Sequence, residues 1–174
     1  NHASASHLLR RLGATFRLNG SGRQGGERIL PFDPLPRLIH RNDWSTLEQG
    51  LFQRLEAIDL FLNDVYGDQQ ILNDGVIPRE DVESSQGWRP QMKGIQLPLN
   101  RWCHVSGLDL IRDGEGTWRV LEDNLRCPSG VAYFLENRRV MKRLFPSLFR
   151  SRTVQPIDDY PSHLLRTLQD LAPW

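Results

Sequence analysis

Two runs rich in Val, Leu, Ile and Trp, Val105 to Arg112 and Thr117 to Asn124, flank the turn-forming Asp113-Gly114-Glu115-Gly116. Apolar, branched runs on either side of acidic and glycine turn residues specify a β-hairpin, and this pairing constrains the fold more than any other feature of the chain. With Arg112 opposite Thr117, Asp109 faces Val120. The two-residue side-chain period then puts Glu122 and Asn124 on Asp109's face. Glu122 is diagonal to Asp109, roughly 7 to 8 Å away between backbones, a gap two acidic side chains span around one ion. A slip of one residue would turn Glu122 to the opposite face.

Asp109, Glu122 and Asn124 offer hard oxygen ligands. Magnesium is commonly held by one or two carboxylates together with substrate phosphates, so the trio suits a metal-nucleotide site better than an all-protein cage. Pro128-Ser129-Gly130 follows and leads into a helical pattern through Val131, Phe134, Leu135, Met141, Leu144 and Phe145. Ser129 is the expected N-cap, and the new helix would turn free backbone amides toward an anion near Ser129 and Gly130. Arg126, between ligand and helix, is placed to neutralise an oxyanion developing in phosphoryl or acyl transfer. The same spacing also describes acids on a solvated hairpin surface, and ligand types alone leave both readings open.

The clearest helix is Ser45 to Tyr66. Ser45-Thr46-Leu47-Glu48 reads as a capping box, and Leu47, Leu51, Leu55, Ile58, Leu62 and Val65 recur at spacings of three and four until Gly67. That stripe is core. Around it, Ser6 to Leu12 reads as a short helix, Ala14 to Leu18 as a strand pairing with Ile29 to Phe32, and Asn19 to Gly26 as a hairpin turn. The Gly-Ser-Gly-Arg-Gln-Gly-Gly inside that turn lacks the spacing and terminal lysine of a phosphate-binding loop. Pro78 to Gln91 reads as a short helix and loop. Pro146 ends or kinks the helix that begins near Gly130, Ser147 to Pro156 reads as a linker, and Asp159-Tyr160-Pro161 opens a last amphipathic helix with Leu164, Leu165, Leu168 and Leu171. Its apolar face needs a partner, so self-association through this terminal helix is expected.

Composition narrows the function classes. A net charge of +1 on 174 residues gives no electrostatic footprint for nucleic acid. No apolar run has the length of a transmembrane helix and no signal peptide opens the chain, so no membrane partner and a cytoplasmic setting are expected. Cys103 and Cys127 are too few for a disulfide framework or a four-cysteine zinc site. Cys103 and His104 point to opposite faces of an extended chain and do not form a nucleophile-base pair, so Cys103 reads as packing and Cys127 as a small residue filling space in the loop. Arg89 and Lys93 precede the hairpin and are candidates to contact a phosphate or carboxylate, although exposed basic residues commonly contact neither.

The string D-x12-E-x-N followed by a Pro-Gly turn resembles the metal-binding end of ATP-grasp carboxylate-amine ligases. More closely, Gly107-Leu108-Asp109-Leu110-Ile111-Arg112-Asp113, Val120 to Arg126, Pro128-Ser129-Gly130 and Leu135-Glu136-Asn137-Arg138 resemble the circularly permuted ATP-grasp family. Upstream, Pro31 to Arg37, Val65 to Gln69, Ile71 to Pro78 and Trp88 to Gly94 are similar to stretches of the same family. The likeness covers roughly residues 10 to 172. It implies an enzyme that activates a small-molecule or peptide carboxylate with ATP, forms an acyl phosphate and lets an amine displace phosphate. Asp109, Glu122 and Asn124 would hold magnesium against the ATP phosphates, with Arg126 near the transferred phosphate.

Two departures stand out. Glutathionylspermidine synthetase and its relatives place an arginine two residues before the metal-binding aspartate, where this chain has Gly107. The glycine-rich phosphate loop and nucleotide-holding lysines of an ATP-grasp site have no equivalent here, which implies the N-terminal portion of a longer ligase; a start at Asn1 fits a truncated chain. The expected fold is α+β, a mixed or antiparallel sheet around the Asp109 to Asn124 hairpin with the Ser45 to Tyr66 and Val131 to Phe145 helices packed on it. Three segments are expected: residues 1–86, strand-turn and helical; 87–150, the metal-binding half; and 151–174, linker and terminal helix. Two other functions stay open, a noncatalytic interaction module on the same fold and a hydrolase using Asp109 and Glu122 as an acid-base pair on a glycoside.

Overall fold

A computed structural model describes residues 2–17, 27–33 and 35–172. The Asn19 to Gly26 turn expected from the sequence lies outside the described residues. The chain is α+β and packs as two units that interleave in sequence, Asn1–Leu38 together with Ser129–Trp174, and Ile39–Pro128.

In the first unit, helix α1 (His2–Arg11) runs into a two-stranded antiparallel sheet of β1 (Thr15–Arg17) and β2 (Glu27–Ile29), with Thr15 opposite Ile29. The second strand therefore precedes the expected Ile29 to Phe32. Leu30 still donates to the Ala14 carbonyl at 3.1 Å, but Pro31 has no N–H to continue the ladder. Helix α5 (Val131–Leu144) packs on α1. Ala5, Leu9, Ala14 and Val140 form the buried core there, ringed by Leu8, Leu12, Ile29, Phe32 and Leu144. The α5 N-cap is Gly130, not Ser129, and no side chain caps it; at φ +95 the chain enters the helix from a left-handed turn that glycine adopts without strain. A helix α6 (Pro146–Ser151) takes up the first half of the stretch expected as a linker, with Pro146 in a first turn where its missing N–H costs nothing. In α7 (Tyr160–Leu171), Leu165 and Leu168 remain more than half exposed.

The second unit is organised by α2 (Arg41–Tyr66). It starts four residues before the expected Ser45, with His40 at the cap and Trp44 donating to the His40 carbonyl at 2.9 Å. Ser45 is thus interior and there is no capping box. Asp43 in the first turn suits the positive end of the helix. The expected stripe faces inward: Leu47 and Val65 are buried and Leu51, Leu55, Ile58 and Leu62 half-buried, while Phe52 and Leu60 are exposed. The helix ends at Gly67, a position that suits glycine because a Cβ there would lie 2.6 Å from the Asn63 carbonyl oxygen. Asp64 then caps α3 (Gln70–Asn73), accepting from the Gln70 and Ile71 amides at 2.9 Å each. A short α4 (Arg79–Glu83) follows.

Two side chains one turn apart on α2 hold the loop that enters the hairpin. Asp59, 5% exposed, accepts from Arg101 Nη1 (2.9 Å), the Trp102 amide (2.8 Å) and the Cys103 amide (3.3 Å). Asn63 donates to the Asn100 carbonyl at 3.0 Å and accepts from Trp102 Nε1 at 2.8 Å. Tyr66 lies between Trp88 and Trp102, with ring centroids 4.8 and 4.7 Å away and planes within 16°. Aromatic pairs in this arrangement add stability beyond their buried area. The loop is thereby fixed to α2 by hydrogen bonds on one turn and by stacked rings on the next.

Candidate metal-binding hairpin

The hairpin forms, as β3 (Gly107–Arg112) and β4 (Trp118–Asn124), a two-stranded sheet among the described residues. Its register differs from the sequence expectation in two places. Arg112 pairs with Trp118 rather than Thr117. The cause is the turn: Asp113 donates its amide to the Thr117 carbonyl at 2.9 Å, its Oδ1 accepts the Glu115 and Thr117 amides, and Gly116 takes φ +85. Thr117 therefore belongs to the turn. The Arg119 guanidinium at 3.0 Å, aided by these backbone amides, holds the Asp113 carboxyl below its ordinary range.

Carried along a regular ladder, that slip would set Asp109 opposite Leu121 and send Glu122 to the wrong face. The ladder is not regular. A β-bulge lies between the Leu110–Val120 and Asp109–Glu122 pairs, with Leu121 as the extra residue. One added residue reverses the alternation, so Asp109 comes directly opposite Glu122 instead of diagonal to it. Asn124, opposite Gly107, shares the face, and its Nδ2 donates to Glu122 Oε1 at 3.1 Å. That bond leaves the Asn124 amide oxygen available as an acceptor. All three side chains are exposed. Asp109 makes no hydrogen bond or ion pair among the described residues, and directly opposed strand residues have Cβ atoms about 5 Å apart. Two carboxylates and an amide oxygen at that separation fit a hard cation with open positions for further oxygen ligands. Among the described residues no three His, Cys, Asp or Glu side chains gather into a metal cluster, so the set depends on the asparagine.

The other face of the hairpin carries Leu108, Leu110, Arg112, Trp118, Val120 and Asp123. Asp123 receives a two-pronged bond from Arg54 of α2, Nε to Oδ1 at 2.7 Å and Nη2 to Oδ2 at 2.6 Å. This hydrogen bonding holds the Asp123 carboxyl below its usual range. Gly107 meets the loop after β4: a Cβ at Gly107 would stand 2.8 Å from Pro128 Cβ and 3.7 Å from Asn124 Cβ. The position where related synthetases carry an arginine is closed to any side chain here while Pro128 keeps its place. Neither the bulge nor these two supports was visible in the residue pattern, although three successive polar residues, Glu122-Asp123-Asn124, signal that one must point toward the protein.

The remaining candidates occupy several settings. Arg126 is exposed and makes no hydrogen bond or ion pair among the described residues. Ser129 and Gly130 belong to the first unit, at the start of α5. Arg89 Nη1 donates to the Gln86 and Trp88 carbonyls at 2.8 Å, and Lys93 lies 3.6 Å from Glu83 and over the Trp88 ring. Cys103 is half-buried, and burial, with the nearby Asp59 charge, pushes its thiol up, away from the reactive thiolate. Cys127 is exposed rather than packed.

No helix of the described residues is long and apolar enough to cross a membrane. Sequence comparison finds a protein of Synechocystis sp., called uncharacterized, 51% identical over 99% of this chain and 36% of its own length. A Mycobacterium tuberculosis protein of the same designation is 51% identical over 92% of this chain and 28% of its own. A putative glutamate–cysteine ligase of Frankia casuarinae is 38% identical over 92% of this chain and 18% of its own. The chain thus spans about a third or less of each of these relatives. The profile of the circularly permuted ATP-grasp type 2 family matches residues 36–174, a stretch that includes the whole second-unit hairpin and both its supports on α2, and the chain belongs to that family.

Proposed function

We propose that this chain is part of an ATP-dependent carboxylate-amine ligase, with Asp109, Glu122 and Asn124 as the magnesium-holding residues. The observation that carries the reading is the bulge at Leu121, which sets Asp109 and Glu122 face to face with Asn124 beside them. Bulges concentrate where a side chain must be re-aimed at a site, and two like charges directly opposed on a hairpin are destabilising unless a cation lies between them. Family membership supplies the second support.

In the reaction so proposed, a carboxylate oxygen attacks the γ-phosphorus of ATP and ADP leaves; an amine nitrogen then attacks the acyl carbon and phosphate leaves. Magnesium, when bound, supplies positive charge to the phosphate oxygens. Asp109 and Glu122 would hold that ion, and the Asn124 amide, oriented by its bond to Glu122, would add a neutral oxygen. Arg126 offers an unpaired guanidinium to the transferred phosphoryl group. Ser129, Gly130, Arg89 and Lys93 enter as further phosphate or substrate contacts. A cytoplasmic enzyme acting on small-molecule or peptide acids and amines follows from this reading.

The test uses the full-length protein and magnesium-dependent ADP release, starting with glutamate and cysteine because of the name carried by the Frankia relative. Glu122→Gln and Asn124→Ala should each lower turnover on the order of a hundredfold or more with folding intact. Folded variants as active as wild type would sink the assignment. An interaction module on the same fold would release no ADP with any acid-amine pair.

A further inference from the structure

The segment that supplies two of the three ligands, Glu122-Asp123-Asn124, is polar at every position. A β-strand is held in register chiefly by burying one face, so a stretch polar on both faces specifies its register weakly. The bulge makes the ambiguity matter, because without the extra residue Asp109 would stand opposite Leu121, and Asp123 instead of Glu122 would share its face. Hydrophobic patterning does not choose between these pairings. Something else must, and the choice decides whether the metal face has its ligands.

We propose that Arg54 is the positioning residue that makes this choice, by drawing Asp123 to the α2 side of the hairpin and so turning Glu122 and Asn124 to the other. Both prongs of the guanidinium are engaged, at 2.7 and 2.6 Å, which fixes the direction of the Asp123 carboxylate as a single-point contact would not. Asp123 is mostly covered, its side chain 19% exposed, whereas Asp109, Glu122 and Asn124 are all exposed. A second, looser tie from the same helix, Asp43 to Arg112 at 3.9 Å, lies at the far end of the same hairpin face. Asp43 and Arg54 are separated along α2 by a rise of about 16 Å. Arg112 and Asp123 are separated along the hairpin by four or five strand residues, about 14–17 Å. The helix therefore grips the hairpin at two points of matching spacing, with Asp123 and not Glu122 at the Arg54 end. Arg54 touches none of the candidate ligands. It acts on them through Asp123, as an outer partner that orients a ligand set.

This inference rests on the metal reading of Asp109, Glu122 and Asn124, and its test separates the two. Mn2+ alone is titrated into the full-length protein, with free ion read by electron paramagnetic resonance, for wild type, Glu122→Gln, Arg54→Met, Arg54→Lys, and Arg54→Asp with and without Asp123→Arg. Arg54→Met should weaken Mn2+ binding roughly 10- to 100-fold, the range seen when an outer partner of a metal ligand is removed. Arg54→Lys, which keeps the charge and the fold but not the fork, should lose less. The exchanged pair conserves total side-chain length across the contact, and Arg54→Asp with Asp123→Arg should recover to within about threefold of wild type, a restoration that a general loss of stability would not show. Binding lost in Glu122→Gln but unchanged in Arg54→Met and Arg54→Lys would overturn the positioning role and leave the metal site standing. Failure of the exchanged pair to recover while circular dichroism shows it folded would do the same. Binding absent from wild type, or indifferent to Glu122→Gln, would overturn the metal reading and this inference with it.

Discussion

Replacing Asp59 with Asn tests how the hairpin is anchored. The carboxylate is 5% exposed and receives three N–H donors, from Arg101 Nη1 and the Trp102 and Cys103 amides. Burial alone pulls its pKa upward. The Arg101 hydrogen bond, the two backbone amides and the Arg101 charge outweigh that and hold it below the ordinary carboxylate value. Asn keeps the shape and one acceptor oxygen, which can stay on the backbone amides, but it turns an NH2 toward a guanidinium. The Arg101 side chain is 53% exposed and regains water, so loss of that ion pair costs about 1 kcal/mol. Exchanging an ionised acceptor for a neutral one roughly halves the strength of the two amide bonds, about 1 kcal/mol more. A total near 2 kcal/mol is about thirtyfold in a local opening equilibrium. Native-state hydrogen exchange in the full-length protein should therefore show Trp102 and Cys103 amides exchanging about thirtyfold faster in Asp59→Asn. The pH dependence has a definite sign. Because the folded pKa lies below the unfolded one, near 3.9, the contribution is complete above the unfolded value and is lost as pH falls through the lowered folded value. Wild-type protection of these amides should decline at that acid end, and the Asp59→Asn profile should be flat there. Exchange at Trp102 within threefold of wild type, or an unchanged acid limb, would refute the anchoring role.

Gly107→Ala should displace Pro128, since the added Cβ would stand 2.8 Å from a rigid ring carbon; overpacking of this kind costs about 1–3 kcal/mol. Faster exchange through residues 124–128, repaired by Pro128→Gly, would support it, and an unperturbed Gly107→Ala protein would contradict it. The exposed Leu165 and Leu168 of α7 should drive self-association of the 1–174 chain, and Leu165→Asp with Leu168→Asp should abolish it. Sedimentation showing a monomer at high concentration before any substitution would end that expectation.

The hairpin and its oxygen-bearing side chains were legible because hairpin chemistry is local. Branched residues either side of Asp113-Gly114-Glu115-Gly116 name the strands, and oxygen ligands two residues apart on one strand share a face whatever the fold around them. The α2 stripe was legible for the same reason, since a helix period is written into consecutive residues. Its start was not, because Arg41 to Trp44 tolerate a helix without announcing one, and the Ser45 signal lost to the extra turn gained upstream. Ser129 gave way to Gly130 as the α5 cap because the chain arrives in a left-handed turn that only its path could reveal. The acids at 109 and 122 share a face as expected, but directly opposite instead of diagonal: the register at the turn end was one residue off, and the bulge at Leu121 restored the face.

The sequence by itself determined that this chain is α+β, that it carries a hairpin with Asp109, Glu122 and Asn124, and that its likeness is to circularly permuted ATP-grasp proteins. The first two follow from residue type and short-range spacing, and the third from the resemblance of its motifs. Only the tertiary structure decided which acid of Glu122-Asp123 shares Asp109's face, since Asp123 is bonded on the other side to Arg54, 69 residues upstream on α2. A strand polar on both faces carries no preference of its own, and the energy that orients it has to come from a partner distant in sequence.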